Sequence, residues 1–116
     1  GIKDKDELPW YVYGKNISKN EIYVCQGVDN QLLYTENITL DKIHWINDLK
    51  EFKHLDCLVQ IRHRHKPVKC IIEFNKGFRV MFDEEIRGVA PGQSAVFYKD
   101  NLCLGGGVIE ARNNDL

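Results

Sequence analysis

The sequence predicts an all-β fold, a small barrel or sandwich of short antiparallel strands. Three observations carry that reading. From Leu55 onward apolar and polar residues alternate with period two, the mark of strands with one buried face. Turn-forming residues recur every eight to twelve positions, a spacing that favours a barrel or sandwich over a layered α/β fold. No stretch has the length and 3.6-residue period of a long helix.

Taken in order, residues 1–8 are charged and read as a ragged start cut from something longer. Tyr11–Tyr13 and Glu21–Cys25 then read as the strands of a hairpin, joined by the polar turn Gly14–Asn20, whose Gly and Asn suit left-handed backbone. Gln26–Gln31 is a second break and a boundary between structural units. Leu32–Leu40 is rich in β-branched and apolar residues and predicts a strand; Asp41 is placed to cap one helical turn through Trp45. In the next strands Cys57, Val59 and Ile61 point one way, with Gln60, Arg62 and Arg64 opposite. Val68, Cys70, Ile72 and Phe74 oppose Lys69, Ile71 and Glu73, and after a turn at Asn75–Gly77, Phe78, Val80 and Phe82 oppose Arg79, Met81 and Asp83. Ser94–Tyr98 and Leu102–Ile109 complete the set.

Composition is that of an ordinary globular domain, 43% hydrophobic and 28% charged, with a net charge of −1. That balance argues against indiscriminate nucleic-acid binding, but it hides a segregation. Residues 1–59 carry seven Lys/Arg against ten Asp/Glu, residues 60–80 six against one, and residues 81–116 three against six. An anionic partner is therefore expected at the middle block. Arg62, Arg64, Lys66 and Lys69 form a basic stripe of the kind that meets phosphates; the plainer reading is a solvated strand face.

Other groups offer less. Cys25, Cys57, Cys70 and Cys103 are widely spaced among apolar neighbours and are expected to be buried free thiols rather than a disulfide framework. His63 and His65 with Cys57 and Cys70 provide zinc-type ligands, but their spacing matches no finger or ribbon, so no metal is expected. Asp83-Glu84-Glu85 is an acidic group after a strand, expected to face water rather than perform acid/base work. Ser18 and Ser94 sit in no nucleophile arrangement, and Trp10 and Trp45 are expected in a core or an interface rather than under stacked bases. A phosphate-cradling loop at Gly105–Gly107 would need a helix directly after it; Val108-Ile109 looks like more strand, so the glycines are expected to permit close backbone contact at a barrel seam. No segment is long and apolar enough to span a bilayer, the start lacks a signal-peptide core, and the sequons at Asn16 and Asn37 read as chance matches.

Four stretches, LPWYVYGKNISKNEIYVCQG (Leu8 to Gly27), the Trp45-Ile46 pair, CLVQIRHRH (Cys57 to His65) and GVAPGQSAVFYKDNLCLGGGVIE (Gly88 to Glu110), occur in an order and spacing that resembles the C-terminal part of the bacterial tRNA-specific 2-thiouridylases, or tRNA-uridine 2-sulfurtransferases. The resemblance implies a closed or partly open antiparallel β-barrel, similar to those of translation factors and aminomethyltransferases, preceded by a β-hairpin. It implies a parent with an N-terminal ATP-binding domain, a small central domain whose tail is residues 1–28, and a C-terminal barrel over residues 29–116. Such a parent thiolates the wobble uridine of tRNA using ATP, with Mg, and sulfur from a persulfide donor. Its ATP loop and catalytic cysteines belong to the N-terminal domain, so the chain itself is expected to hold no cofactor and no catalytic residue. On this view the barrel helps hold tRNA through Arg62, Arg64, Lys66 and Lys69 in the cytoplasm, away from any membrane; the alternative is a structural brace for its sister domains.

Overall fold

The computed structural model describes residues 8–46, 52–61, 65–74 and 77–112. It consists of a two-stranded hairpin, β1 (Trp10–Asn16) and β2 (Glu21–Gln26), followed by a 3₁₀ turn, Gln31–Leu33, and a closed antiparallel barrel. The barrel strands are β3 (Tyr34–Trp45), β4 (His54–Gln60), β5 (Val68–Phe74), β6 (Phe78–Arg87), β7 (Ser94–Lys99) and β8 (Leu102–Arg112), and they close in the order β3-β6-β5-β4-β7-β8. The barrel alternative to a sandwich is thus the one adopted.

In the hairpin β1 runs on through Gly14 to Asn16, with a bulge between Val12 and Gly14. The reversal is confined to residues 17–20. There the Asn16 side chain accepts from Ser18 Oγ (2.8 Å) and the Lys19 amide (3.1 Å), and Asn20 takes φ 56°. An Asn can nucleate a turn in this way because its short amide imitates backbone.

The expected helical turn from Asp41 to Trp45 is not formed; these residues extend β3 to Trp45. The local chemistry read from Asp41 is present, since its carboxylate accepts from the Lys42 amide at 2.8 Å. It serves a bulge instead of a cap: Lys42 has φ 49°, and the β3–β8 register shifts between Asp41 and His44. Pairing with β8 on both sides of the bulge, Asp41 with Val108 and His44 and Trp45 with Gly106 and Gly105, supplies backbone hydrogen bonding that one isolated helical turn could not match.

Period two governs the interior. Val59, Ile72, Val80, Ile38 and Phe97 are essentially fully buried, while Asp56, Lys69 and Arg79 on the same strands are exposed. Each such buried side chain contributes about 1.5–3 kcal/mol by leaving water. Trp45 packs beside Phe74, Phe78 and Phe97 at centroid distances of 6.2, 5.7 and 5.5 Å, which places it against the core as expected. Cys25, Cys57 and Cys70 are buried, but Cys103 is exposed, contrary to expectation. The β7–β8 register shifts between Phe97 and Tyr98, so Leu104 becomes an extra residue and Cys103 is turned outward beside Tyr98.

Closure depends on β8. A Cβ on Gly105 would fall on the His44 carbonyl oxygen and 2.9 Å from Trp45 Cα; one on Gly106 would fall on the Ala95 carbonyl oxygen. The triple glycine is therefore a seam where β8 lies against β3 on one side and β7 on the other, and Gly105 takes φ +133°. Just before β7, the Ala90–Gln93 turn is held by Gln93, whose Oε1 accepts from the Ala90 amide at 3.1 Å.

At the far end of β8 the buried Arg112 reaches back across the barrel mouth. Its guanidinium donates to the carbonyl oxygens of Val89 (2.9 Å), Leu32 (2.5 Å) and Tyr34 (3.3 Å), joining three segments distant in sequence. Arg87 links hairpin to barrel in a similar manner: its Nε donates to Val28 O at 2.9 Å and its guanidinium lies 5.1 Å from the Tyr11 ring centroid.

Three stability changes follow. Gly106→Ala should cost about 3 kcal/mol or more, because backbone has to part to admit the methyl group; Gly27→Ala, at φ +98° but with open space around it, should cost only about 1 kcal/mol. Arg112→Leu should cost about 3 kcal/mol by stranding buried carbonyls. Urea unfolding midpoints measure all three.

Candidate nucleic-acid interface

The β4–β5 hairpin carries the basic residues singled out by sequence. Its register pairs Leu58 with Lys69 and Val59 with Val68, which turns Lys69 to the outside while Cys57, Val59 and Cys70 face the core. The connection between the strands is tied at its base by Gln60, whose side-chain amide donates to the His65 carbonyl at 2.9 Å. Lys66, just beyond that tie, is exposed, as is Lys69. Arg62, His63 and Arg64 lie outside the described residues, as does Lys76.

The middle block is not one patch. Arg79 pairs with Glu73 near the far end of β5, four residues from Lys69 and so about 13 Å along the strand. There Arg79 lines a cleft of about 420 Å³ with Thr39, Glu73 and Glu110. Lys69 and Lys99 line another, of about 390 Å³, with Asp56, Asp83 and Asp100. Carboxylates therefore offset the cations in both clefts, and Lys66 lines neither. The positive excess of this hairpin is concentrated in its connection.

The remaining candidates resolve individually. Gly105–Gly107 lie inside a strand that continues to Arg112, which is not the strand-loop-helix arrangement that presents amides to a phosphate. Asp83, Glu84 and Glu85 sit within β6 rather than after it, exposed where the β3–β6 register jumps between Thr35 and Asn37, and they flank an open cleft of about 490 Å³ with Glu36. Of the zinc-type set, His65 is exposed and His63 lies outside the described residues; among the described residues no three His, Cys, Asp or Glu side chains converge.

Cys57 and Cys70, in contrast, meet directly. They are register partners, with Sγ atoms 3.7 Å apart. The hydrogen bond between them holds the Cys57 thiol below its ordinary range, with help from the nearby Lys99 ammonium; the same hydrogen bond, with burial, pushes Cys70 up. Of the two, Cys57 is thereby the readier thiolate. Their place on the inward phase of consecutive strands was legible in sequence, but facing registers were not. Arg112 was missed altogether: strict alternation would put it on the same outward face as Glu110, and only the β3–β8 register shift between Thr39 and Leu40, which leaves Glu110 as the extra residue, turns it inward.

Residues 35–109 match the family model described as the aminomethyltransferase β-barrel domain. Over 114 residues the chain is 40% identical to tRNA-specific 2-thiouridylase MnmA of Buchnera aphidicola subsp. Baizongia pistaciae, covering 97% of this chain and 31% of that protein. It is 38% identical over 117 residues to the protein of the same name from Idiomarina loihiensis (99% and 32%) and 40% identical over 111 residues to that of Pseudomonas aeruginosa (95% and 30%). The chain spans about a third of the length of these curated relatives, and the matched part is their C-terminal region.

Since Lys66 and Lys69 are exposed, Lys66→Ala and Lys69→Ala should each leave the urea unfolding free energy within about 0.5 kcal/mol of the parent value.

Proposed function

Because the chain belongs to the family of aminomethyltransferase β-barrel domains, we propose that it is the C-terminal, tRNA-contacting domain of an enzyme that replaces the 2-oxygen of the wobble uridine with sulfur. The names of the relatives, tRNA-specific 2-thiouridylases, support the substrate. In this reading the parent is a cytoplasmic transferase that uses ATP, with Mg, and a persulfide donor at a site outside this chain. The barrel contributes binding and orientation, without catalysis.

The observation that carries the reading is the β4–β5 connection, where exposed Lys66 stands close in sequence to Arg62 and Arg64, beyond the carboxylates that offset Lys69. Arginine forks and lysine point charges are the groups that engage phosphate oxygens. Such contacts fix where the RNA backbone lies and carry no base identity. Asp56, Asp83 and Asp100 then limit the footprint, because phosphate passing over them would be repelled. Lys69 is the edge of the contact rather than its centre.

The hairpin supports the division at residue 28. One of its faces carries Tyr11, Tyr13, Tyr23 and Cys25, partly or fully covered; the other exposes Trp10 (64% exposed), Val12, Ile22 (67%) and Val24. A two-stranded hairpin is marginal alone, and an uncovered apolar face of this kind marks a contact. The central domain of the parent is the proposed cover. This face also favours the second reading, in which the barrel is a brace and touches no RNA.

Replacing Arg62, Arg64 and Lys66 together with Ala should weaken tRNA binding by the full-length parent about tenfold or more at low salt. The slope of log affinity against log salt should become shallower by about one for each phosphate no longer engaged. Unchanged affinity and slope would leave the brace as the surviving reading.

A further inference from the structure

We propose that Cys57 and Cys70 are an oxidisable dithiol, a modification site at which a small two-electron oxidant of the hydrogen peroxide class forms a reversible disulfide between β4 and β5. The site stands on geometry and does not depend on the tRNA reading. Directly paired residues of an antiparallel ladder have Cα atoms about 4.5–5.5 Å apart, inside the roughly 4.4–6.8 Å window that a disulfide spans. The sulfurs, now 3.7 Å apart, need to approach by only about 1.6 Å to bond. Side-chain rotation supplies that without moving either strand.

Access is through the cleft of about 390 Å³, which both residues line. Cys57 is 8% exposed and Cys70 2%, so Cys57 is the more accessible of the two. Lys99 stands at this cleft too, its Nζ held on the Asp56 carbonyl at 3.0 Å. A cation there favours the thiolate that attacks. The other two cysteines lack the arrangement: Cys25 is buried in the hairpin, and Cys103 is exposed on β8.

The chemistry balances in two steps. The Cys57 thiolate attacks one peroxide oxygen, forming an S–O bond as the O–O bond breaks and hydroxide leaves, to be protonated to water. Cys70 sulfur, giving up its proton, then attacks Cys57 sulfur; the S–S bond forms, the S–O bond breaks, and the second oxygen leaves as water. Two thiols are oxidised by two electrons and one peroxide is reduced to two waters. The product closes residues 58–69 into a ring that contains Lys66 and Lys69.

To test this, the folded chain carrying Cys103→Ser is treated with stoichiometric hydrogen peroxide, alkylated under denaturing conditions, and mapped by mass spectrometry without reduction. The expected result is a linked Cys57–Cys70 peptide pair lighter by two hydrogen atoms, lost on adding dithiothreitol, with Cys25 fully alkylated. Recovery of Cys57 and Cys70 as alkylated thiols, or their conversion to sulfinic acids without a link, overturns the proposal. With Cys70→Ser added, Cys57 should accumulate as a sulfenic acid captured by dimedone; a folded variant that shows no adduct overturns the assignment of Cys57 as the attacking group. Should that variant not fold, the peptide map of the folded chain decides.

Discussion

The close passage of β8 between β3 and β7 is the constraint on which the rest of this protein depends. Three consecutive residues without side chains let the backbone lie where a methyl group would strike the carbonyl oxygens of His44 and Ala95. If that approach failed, β3 and β7 would each present an unpaired edge, and the interior would open to water along its length. Closure is what turns six amphipathic strands into one core, so the hydrophobic gain of every inward side chain is conditional on a contact made by glycines. Arg112 then secures the end of the same strand by satisfying three carbonyls, those of Leu32 and Tyr34 at the start of β3 and that of Val89.

A closed barrel has no large internal space for a substrate at this strand number, since side chains fill it. Function must therefore lie on the outside or at the strand connections. The β4–β5 hairpin shows how one register produces two unlike sites. Alternation sends Lys69 outward and its neighbour Cys70 inward, so a cationic edge and a thiol pair occupy opposite sides of the same two strands. Lys69 and both thiols nevertheless line the one cleft beside Lys99.

Electrostatics narrows the outer site further than counting charges does. A segment with six cations and one acid looks uniformly basic as a string. Folding pairs Glu73 with Arg79 across the β5–β6 hairpin and gathers Asp56, Asp83 and Asp100 with Lys69 and Lys99 around one cleft. At separations of a few ångströms such neighbours cancel much of each other's field. Lys66, in the connection between β4 and β5, lines neither of these clefts.

By itself the sequence determined the strand pattern, the inward and outward phases from Leu55 on, the hairpin, and the use of the triple glycine at a seam, because these follow from local periodicity and from what residues without a Cβ permit. It also placed a helical turn from Asp41 to Trp45, where the structure has a bulge in β3 instead. Only the tertiary structure decided that pairing with β8 would draw residues 41–45 into β3, that a bulge at Leu104 would expose Cys103, that Cys57 would face Cys70, and that Arg112 would be buried. Each of those outcomes depends on strand register, between consecutive strands for the cysteines and between the remote strands β3 and β8 for residues 41–45 and Arg112. Register is set by barrel closure and bulges acting together, and no local pattern of residues contains it.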